Sequence, residues 1–235
     1  GTAWVCAFVL GIPSFQNTFD SNSMPQIILV GLLLGALIDH LLPQSGNKYK
    51  IICWSLDLIF AAAVIVWVRG EVDLGSILIF IIWGCIQFSA RRQADDARTP
   101  AIMVVVAAIG LATIAWIGDI LADRNLAFGV SSTGFGFLVW LWFKRDLPLG
   151  FSFFWSSFTA LLLIALRVIE ANPLMAVPIL VLGSIFFTDS ILSQKKLWPT
   201  FFKQFAAPIM VCALSILPIV LASASALVAT TLINY

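Results

Sequence analysis

Residues 99–121 read TPAIMVVVAAIGLATIAWIGDIL, and after Arg98 the next charged residue is Asp119. A helix needs about 20 mostly apolar residues to cross the hydrocarbon core of a bilayer. Lipid offers no partner to free backbone groups, so such a run must be helical. Working outward, comparable runs occur at 2–16, 25–42, 50–68, 74–90, 125–143, 149–168, 172–192 and 205–230. The expected fold is therefore all-α, a polytopic transmembrane bundle of about nine spans in one domain over 1–235. Pro43, Pro100, Pro148, Pro173 and Pro199 fall at or near predicted helix ends, where a missing N–H does little harm. Pro178, Pro208 and Pro218 lie inside or near the start of spans and are expected to kink them. No soluble domain, low-complexity tract or internal repeat interrupts the pattern.

Composition points the same way. Mean hydropathy is +1.03. Hydrophobic residues make up 61% and charged residues 11% of the chain, against about 25% charged in soluble domains. Too few polar residues remain to cover a water-facing surface. A net charge of +1 argues against nucleic-acid binding, which needs a concentrated basic face. Cys6, Cys53, Cys85 and Cys212 sit inside apolar runs with no CxxC pair, and read as small hydrophobes. The chain begins Gly1-Thr-Ala with no charged segment ahead of its first apolar run, so no signal peptide is expected.

Charge in the loops gives the orientation. One set of alternate loops collects Lys48, Lys50, Arg91, Arg92, Arg98, Lys144, Arg145, Lys195, Lys196 and Lys203. The other collects only Arg69, Arg124 and Arg167, mixed with Glu71, Asp73, Asp119, Asp123 and Glu170. Lys and Arg are retained on the cytoplasmic side during insertion. Loops 43–50, 91–98, 144–148 and 193–204 are thus expected in the cytoplasm.

Asp39, His40, Asp57 and Asp189 lie within or at the edge of apolar segments, where a carboxylate is costly unless it faces protein, water or a partner. They read either as a polar site at the cytoplasmic surface or as packing and snorkelling residues. His40 is the only histidine, which excludes a multi-histidine metal site. In Arg91-Arg-Gln-Ala-Asp95-Asp96-Ala-Arg98 two carboxylates stand among three arginines. Such a loop can bind a divalent cation with a phosphate, or neutralise itself.

The order of these features resembles the polyprenyl-phosphate N-acetylhexosamine-1-phosphate transferases, bacterial membrane enzymes that move a sugar-1-phosphate from a UDP-sugar to undecaprenyl phosphate with magnesium. Gly1-Thr-Ala sits where that family has a paired-glycine motif opening its second helix, which implies that the family's first helix is absent. Leu37-Ile-Asp39-His40-Leu-Leu-Pro43 resembles Leu-Leu-Asp-Asp-Leu-Arg-Pro, and the Lys48-Tyr-Lys50 segment resembles the loop that follows. Trp83 to Ala101 resembles the segment holding Asn-Ala-x-Asn-x-x-Asp-Gly-x-Asp-Gly. Gly134 to Ser152 resembles the segment ending Met-Gly-Asp-Ser-Gly-Ser, and Asn172 to Ser190 resembles the late helix ending Pro-Leu-Leu-Asp-Thr.

The departures fall on the chemistry. Of the family's paired aspartates, Asp39 is kept and the second is His40. Ser89-Ala90-Arg91-Arg92 stands for the asparagine motif; Asp95 and Asp96 remain, and Arg98 replaces an aspartate. The family's magnesium-binding Asp falls on Phe151, and 193–204 lacks the family's histidines. Magnesium wants hard oxygen ligands, which Phe151 cannot supply and Arg98 would repel. Phosphoryl transfer relies on that metal.

The resemblance therefore implies a catalytically degenerate member, without cofactor, acting as an accessory subunit of a membrane complex or as a lipid binder. Its expected partners are membrane lipids, a polyprenyl phosphate among them, and other membrane subunits; its expected location is the bacterial cytoplasmic membrane. Phe151, Phe153, Phe154, Trp155 and Phe158 crowd the position where the family keeps its polar site. Two alternatives stay open: an active magnesium-dependent transferase built on Asp39, Asp95 and Asp96, and a small-molecule transporter. Small-residue faces at Gly31/Gly35 and at Ala222-Ser-Ala-Ser-Ala226 suit packing within the chain or against a partner.

Overall fold

A computed structural model describes residues 24–41, 47–69, 72–92, 98–143, 149–187 and 203–233, with side chains except at 47–51, 142, 203–215 and 232–233. The described residues form eight α-helices and no strand: α1 (Met24–Leu41), α2 (Asn47–Arg69), α3 (Leu74–Arg92), α4 (Arg98–Ile117), α5 (Leu121–Phe143), α6 (Phe151–Ala171), α7 (Ala176–Gly183) and α8 (Lys203–Ile233).

Among the described residues, five helices are long and apolar enough to cross a membrane: α1, α2 from Ile52, α3, α4 and α6. Nine were expected over the whole chain. α5 also has the length, 23 residues. The span expected over 172–192 is not one helix as far as residue 187. It runs as a 3-10 turn at Pro173–Met175, then α7, then a second 3-10 turn at Ser184–Phe187. Asn172 opens it, its side chain accepting from Leu174 N at 3.1 Å, with Pro173 next. α8 runs unbroken through Pro208 and Pro218 for 31 residues. The span expected over 2–16 lies outside the described residues.

α4 and α6 form the centre. Buried residues make up 72% of α4's apolar window and 78% of α6's, against 33% in α1 and α3. α6 packs on α1, α2, α3 and α5, while α4 packs on α5, α6 and α8. The outer faces carry Leu33, Ile59, Ile81, Trp116, Phe135 and Val228, each more than half exposed. Apolar exposure on this scale has no place in water. The molecule is a helical membrane protein. α8 buries Ala222, Ala226 and Ala229 and packs on α4 and α7, so its small-residue stripe is used inside the chain.

α4 turns into α5 through a left-handed residue. Ile120 N donates to Ala115 O at 2.8 Å and Asp119 N to Trp116 O at 3.1 Å, with Asp119 at φ 56°. This is the Schellman arrangement, in which glycine usually holds the left-handed position.

Candidate functional site

Gly31, Gly35 and Asp39 recur at four-residue intervals, so they share one face of α1. A Cβ added to Gly35 would lie 2.5 Å from Ser152 N and 2.6 Å from Ser152 Cα. Only glycine lets the two backbones come this close. One turn further on, the Asp39 carboxylate meets the start of α6. Phe151 N donates to Oδ1 at 2.7 Å; Ser152 N and Oγ donate to Oδ2 at 3.0 and 2.9 Å. Gly150 is the N-cap of α6 and supplies no capping side chain. A Cβ on Gly150 would overlap the Asp39 carboxylate. The cap of α6 is thus delivered by another helix, and the negative charge also suits the positive end of the helix dipole. Three of about four carboxylate lone-pair positions are occupied.

The second centre is Asp57 on α2. Arg91 on α3 donates from Nε to Oδ2 at 2.7 Å and from Nη2 to Oδ1 at 3.0 Å. Trp155 Nε1 on α6 donates to Oδ1 at 2.7 Å. The two charged side chains are 7% and 6% exposed, so this pair is out of reach of solvent screening. A two-pronged guanidinium and an indole donor together meet the hydrogen-bonding need of a buried carboxylate. One carboxylate ties three helices together.

Aromatic rings close around this pair. The Arg91 guanidinium carbon lies 4.3 Å from the Phe151 ring centroid and 4.5 Å from that of Phe154, both at cation–π range. Phe60 stacks on Trp155 at 4.2 Å, with planes 3° apart. Phe158 touches Phe154 and Trp83. Phe151, Phe154 and Phe158 are fully buried, so the aromatic crowd at the start of α6 is a filled core.

Ser89 Oγ donates to Phe186 O at 2.7 Å and joins α3 to the second 3-10 turn. The described residues flanking the segments 42–46, 93–97, 144–148 and 188–202 therefore meet at one end of the bundle: Asp39 on Phe151, Arg91 on Phe151, Ser89 on Phe186. At the other end Arg167 Nε lies 3.1 Å from Asp123 Oδ1, linking α6 to α5.

Asp39 is half-buried and capping, His40 is exposed at the end of α1, and Arg98 is the half-buried first residue of α4. Phe151, at the position implied for a magnesium ligand, is buried against Arg91. Asp95, Asp96 and Asp189 lie outside the described residues. Among the described residues no three His, Cys, Asp or Glu side chains gather to hold a metal ion. Cys53 is buried and Cys85 exposed, and neither forms a disulfide among the described residues. Sequence alone sets Arg91 among the loop charges and does not reveal Trp155 as a donor. The signal that could have found them is Asp57 itself: a carboxylate this deep demands a cation, and Arg91 ends a neighbouring helix on the same side.

No family model matches the chain, and no curated protein matches it.

Proposed function

We propose that this chain is a non-catalytic relative of the polyprenyl-phosphate sugar-1-phosphate transferases. On this reading it resides in the bacterial cytoplasmic membrane and serves as an accessory subunit of a membrane complex or as a lipid binder. The observation that carries the reading is the engagement of Asp39 and Asp57. One carboxylate caps α6, and the other is held by Arg91 and Trp155. A metal-dependent transfer needs carboxylates free to ligate. Here a guanidinium sits against Phe151, beside the position where the resembled family carries its metal. A fixed internal cation with its own counterion leaves no charge for a second one to neutralise.

The cytoplasmic assignment of loops 43–50, 91–98, 144–148 and 193–204 belongs to the same proposal. It is supported by ten Lys/Arg on that set of loops against three on the other, and by the meeting of their flanking residues at one end. Cysteine labelling at positions 48 and 144 tests it; opposite accessibility would end it.

The activity test is release of UMP from UDP-N-acetylhexosamine in the presence of undecaprenyl phosphate and magnesium. We expect none above background. Turnover that vanishes in Asp95→Asn would overturn the non-catalytic reading in favour of an active transferase. Native purification in mild detergent with mass spectrometry tests the subunit branch, for which a co-purifying membrane protein is expected.

A further inference from the structure

Asp57 and Asp123 are the buried aspartates among the described residues. Asp57 is met by three hydrogen bonds. Asp123 is served far less well. It stands in the first turn of α5, ahead of the apolar run 125–143, at the end of the bundle opposite Asp39. Its side chain is 1% exposed, and Arg167 Nε lies 3.1 Å from Oδ1. No aligned hydrogen bond reaches that oxygen among the described residues. The Arg167 side chain is itself 24% exposed, so part of its charge is spent on water.

Two charged groups face Asp123 from α6, Arg167 and Glu170. α4, which packs along α5, carries Arg98 alone, at its far end. Asp119 lies in the turn between α4 and α5, and Arg124 on α5 donates to Asn125. Glu170 is exposed, in the last turn of α6, and takes part in none of the ion pairs among the described residues. It stands three residues after Arg167, within reach on the same helix face, and an anion there opposes the negative end of the helix dipole. One arginine thus has two carboxylates to serve. Burial raises the Asp123 carboxyl above its ordinary 3.8; Arg167 pulls it down and Glu170 pushes it up.

We propose that Asp123 is a proton-binding site that acts as an acid-set lock between the start of α5 and α6. With the proton bound, the neutral carboxyl stays buried and Arg167 turns to Glu170 on its own helix. With the proton lost, a buried anion shares one half-solvated cation with a second carboxylate, and the first turn of α5 opens more readily. A carboxyl that holds its proton more tightly folded than unfolded stabilises the fold fully below the unfolded value, and that stability is lost as pH rises through the folded value. The lock therefore tightens as pH falls from neutral. Neither the transferase resemblance nor the sidedness of the loops enters this site.

The test is hydrogen exchange read by mass spectrometry on the full chain in phosphatidylcholine nanodiscs, between pH 7 and pH 4, corrected for the intrinsic rate. In the native protein the peptide holding residues 119–128 should gain protection as pH falls, with a midpoint above 3.8, the ordinary aspartate value. Asp123→Asn, neutral at every pH, should hold the protected level throughout and lose the pH dependence. Glu170→Gln leaves Arg167 to Asp123 alone and should move the midpoint to lower pH, a shift that a merely structural aspartate would not show. Native protection that is flat or falls on acidification overturns the proposal, as does a pH dependence that survives Asp123→Asn. An unmoved midpoint in Glu170→Gln overturns it too. Should Asp123→Asn fail to fold, the native profile and that of Glu170→Gln, changed at an exposed position, decide alone.

Discussion

The Asp39 carboxylate caps a helix that begins 112 residues later, accepting from Phe151 N at 2.7 Å. It supplies what Gly150 cannot, and Gly150 in turn must lack a Cβ for the carboxylate to fit. Each residue accounts for the other. The family resemblance points to Asp39 as a remnant of chemistry, whereas its present work is to fix α1 to α6.

Replacing Asp39 tests this. Asp39→Ala leaves two buried-end amides without an acceptor and should destabilise the fold by about 2 kcal/mol. Asp39→Asn keeps one acceptor oxygen and should cost about half as much. The measurement is unfolding in mixed detergent–SDS micelles, and equal stability of all three proteins would exclude the cap.

The Asp57–Arg91 pair calls for a double-mutant cycle. Asp57→Ala or Arg91→Ala alone strands a buried charge and should cost about 3–5 kcal/mol. The double variant should cost clearly less than the sum, with a coupling of about 2 kcal/mol. Additive losses would mean that the two charges do not stabilise one another.

Two glycines should respond in opposite ways. Gly35→Ala drives a Cβ into the backbone of Ser152, which cannot step aside, and should cost about 2 kcal/mol or more. Gly136 lies inside α5, and a Cβ added there would meet nothing within 4 Å. Gly136→Ala should stabilise by up to about 1 kcal/mol through helix propensity. The same unfolding titration reads both.

Asp73, outside the spans, gives a pH test. It accepts from Ser76 Oγ at 2.6 Å, from Ser76 N at 2.7 Å and from Arg69 Nη2 at 2.8 Å. The Ser76 hydroxyl first, then the Ser76 amide, with Arg69 adding to them, lower its pKa from 3.8 to about 2. A depressed carboxylate stabilises the folded state above its unfolded pKa, and the effect is lost as pH falls through the folded value. The cap on α3 should thus hold at pH 4 and fail towards pH 2. Hydrogen exchange at the Ser76 amide, followed against pH, should show protection lost in that window; loss already complete above pH 4 would refute it.

Runs such as 99–121 announce their helices because twenty apolar residues in a row admit one solution in lipid. The same logic misjudges 172–192, where Pro173 opens a 3-10 turn ahead of α7 and a second 3-10 turn follows it. Asp57 is legible as an anomaly but its partners are not. Arg91 and Trp155 lie 34 and 98 residues away, and helical periodicity says nothing about which helices adjoin. Gly31 and Gly35 are legible as a close-packing face, yet the surface they meet, the first turn of α6, emerges only from the fold. Asp123 reads from sequence as a loop charge, and its burial against Arg167 emerges only from the fold.

The distance along the chain between Asp39 and its amides has a consequence for biogenesis. Helices enter a membrane roughly in the order of synthesis, and α1, α2 and α3 are made long before α6. During that interval Asp39 and Asp57 sit at or within lipid without Phe151, Ser152 and Trp155, the groups that later satisfy them. The early helices are then a half-finished assembly that must be held by the insertion machinery, or by hydration at the membrane surface, until α6 arrives. A ribosome stalled before residue 150 would leave Asp57 with Arg91 for a partner but Asp39 with none of its donors. Asp39 is satisfied only when α6 arrives.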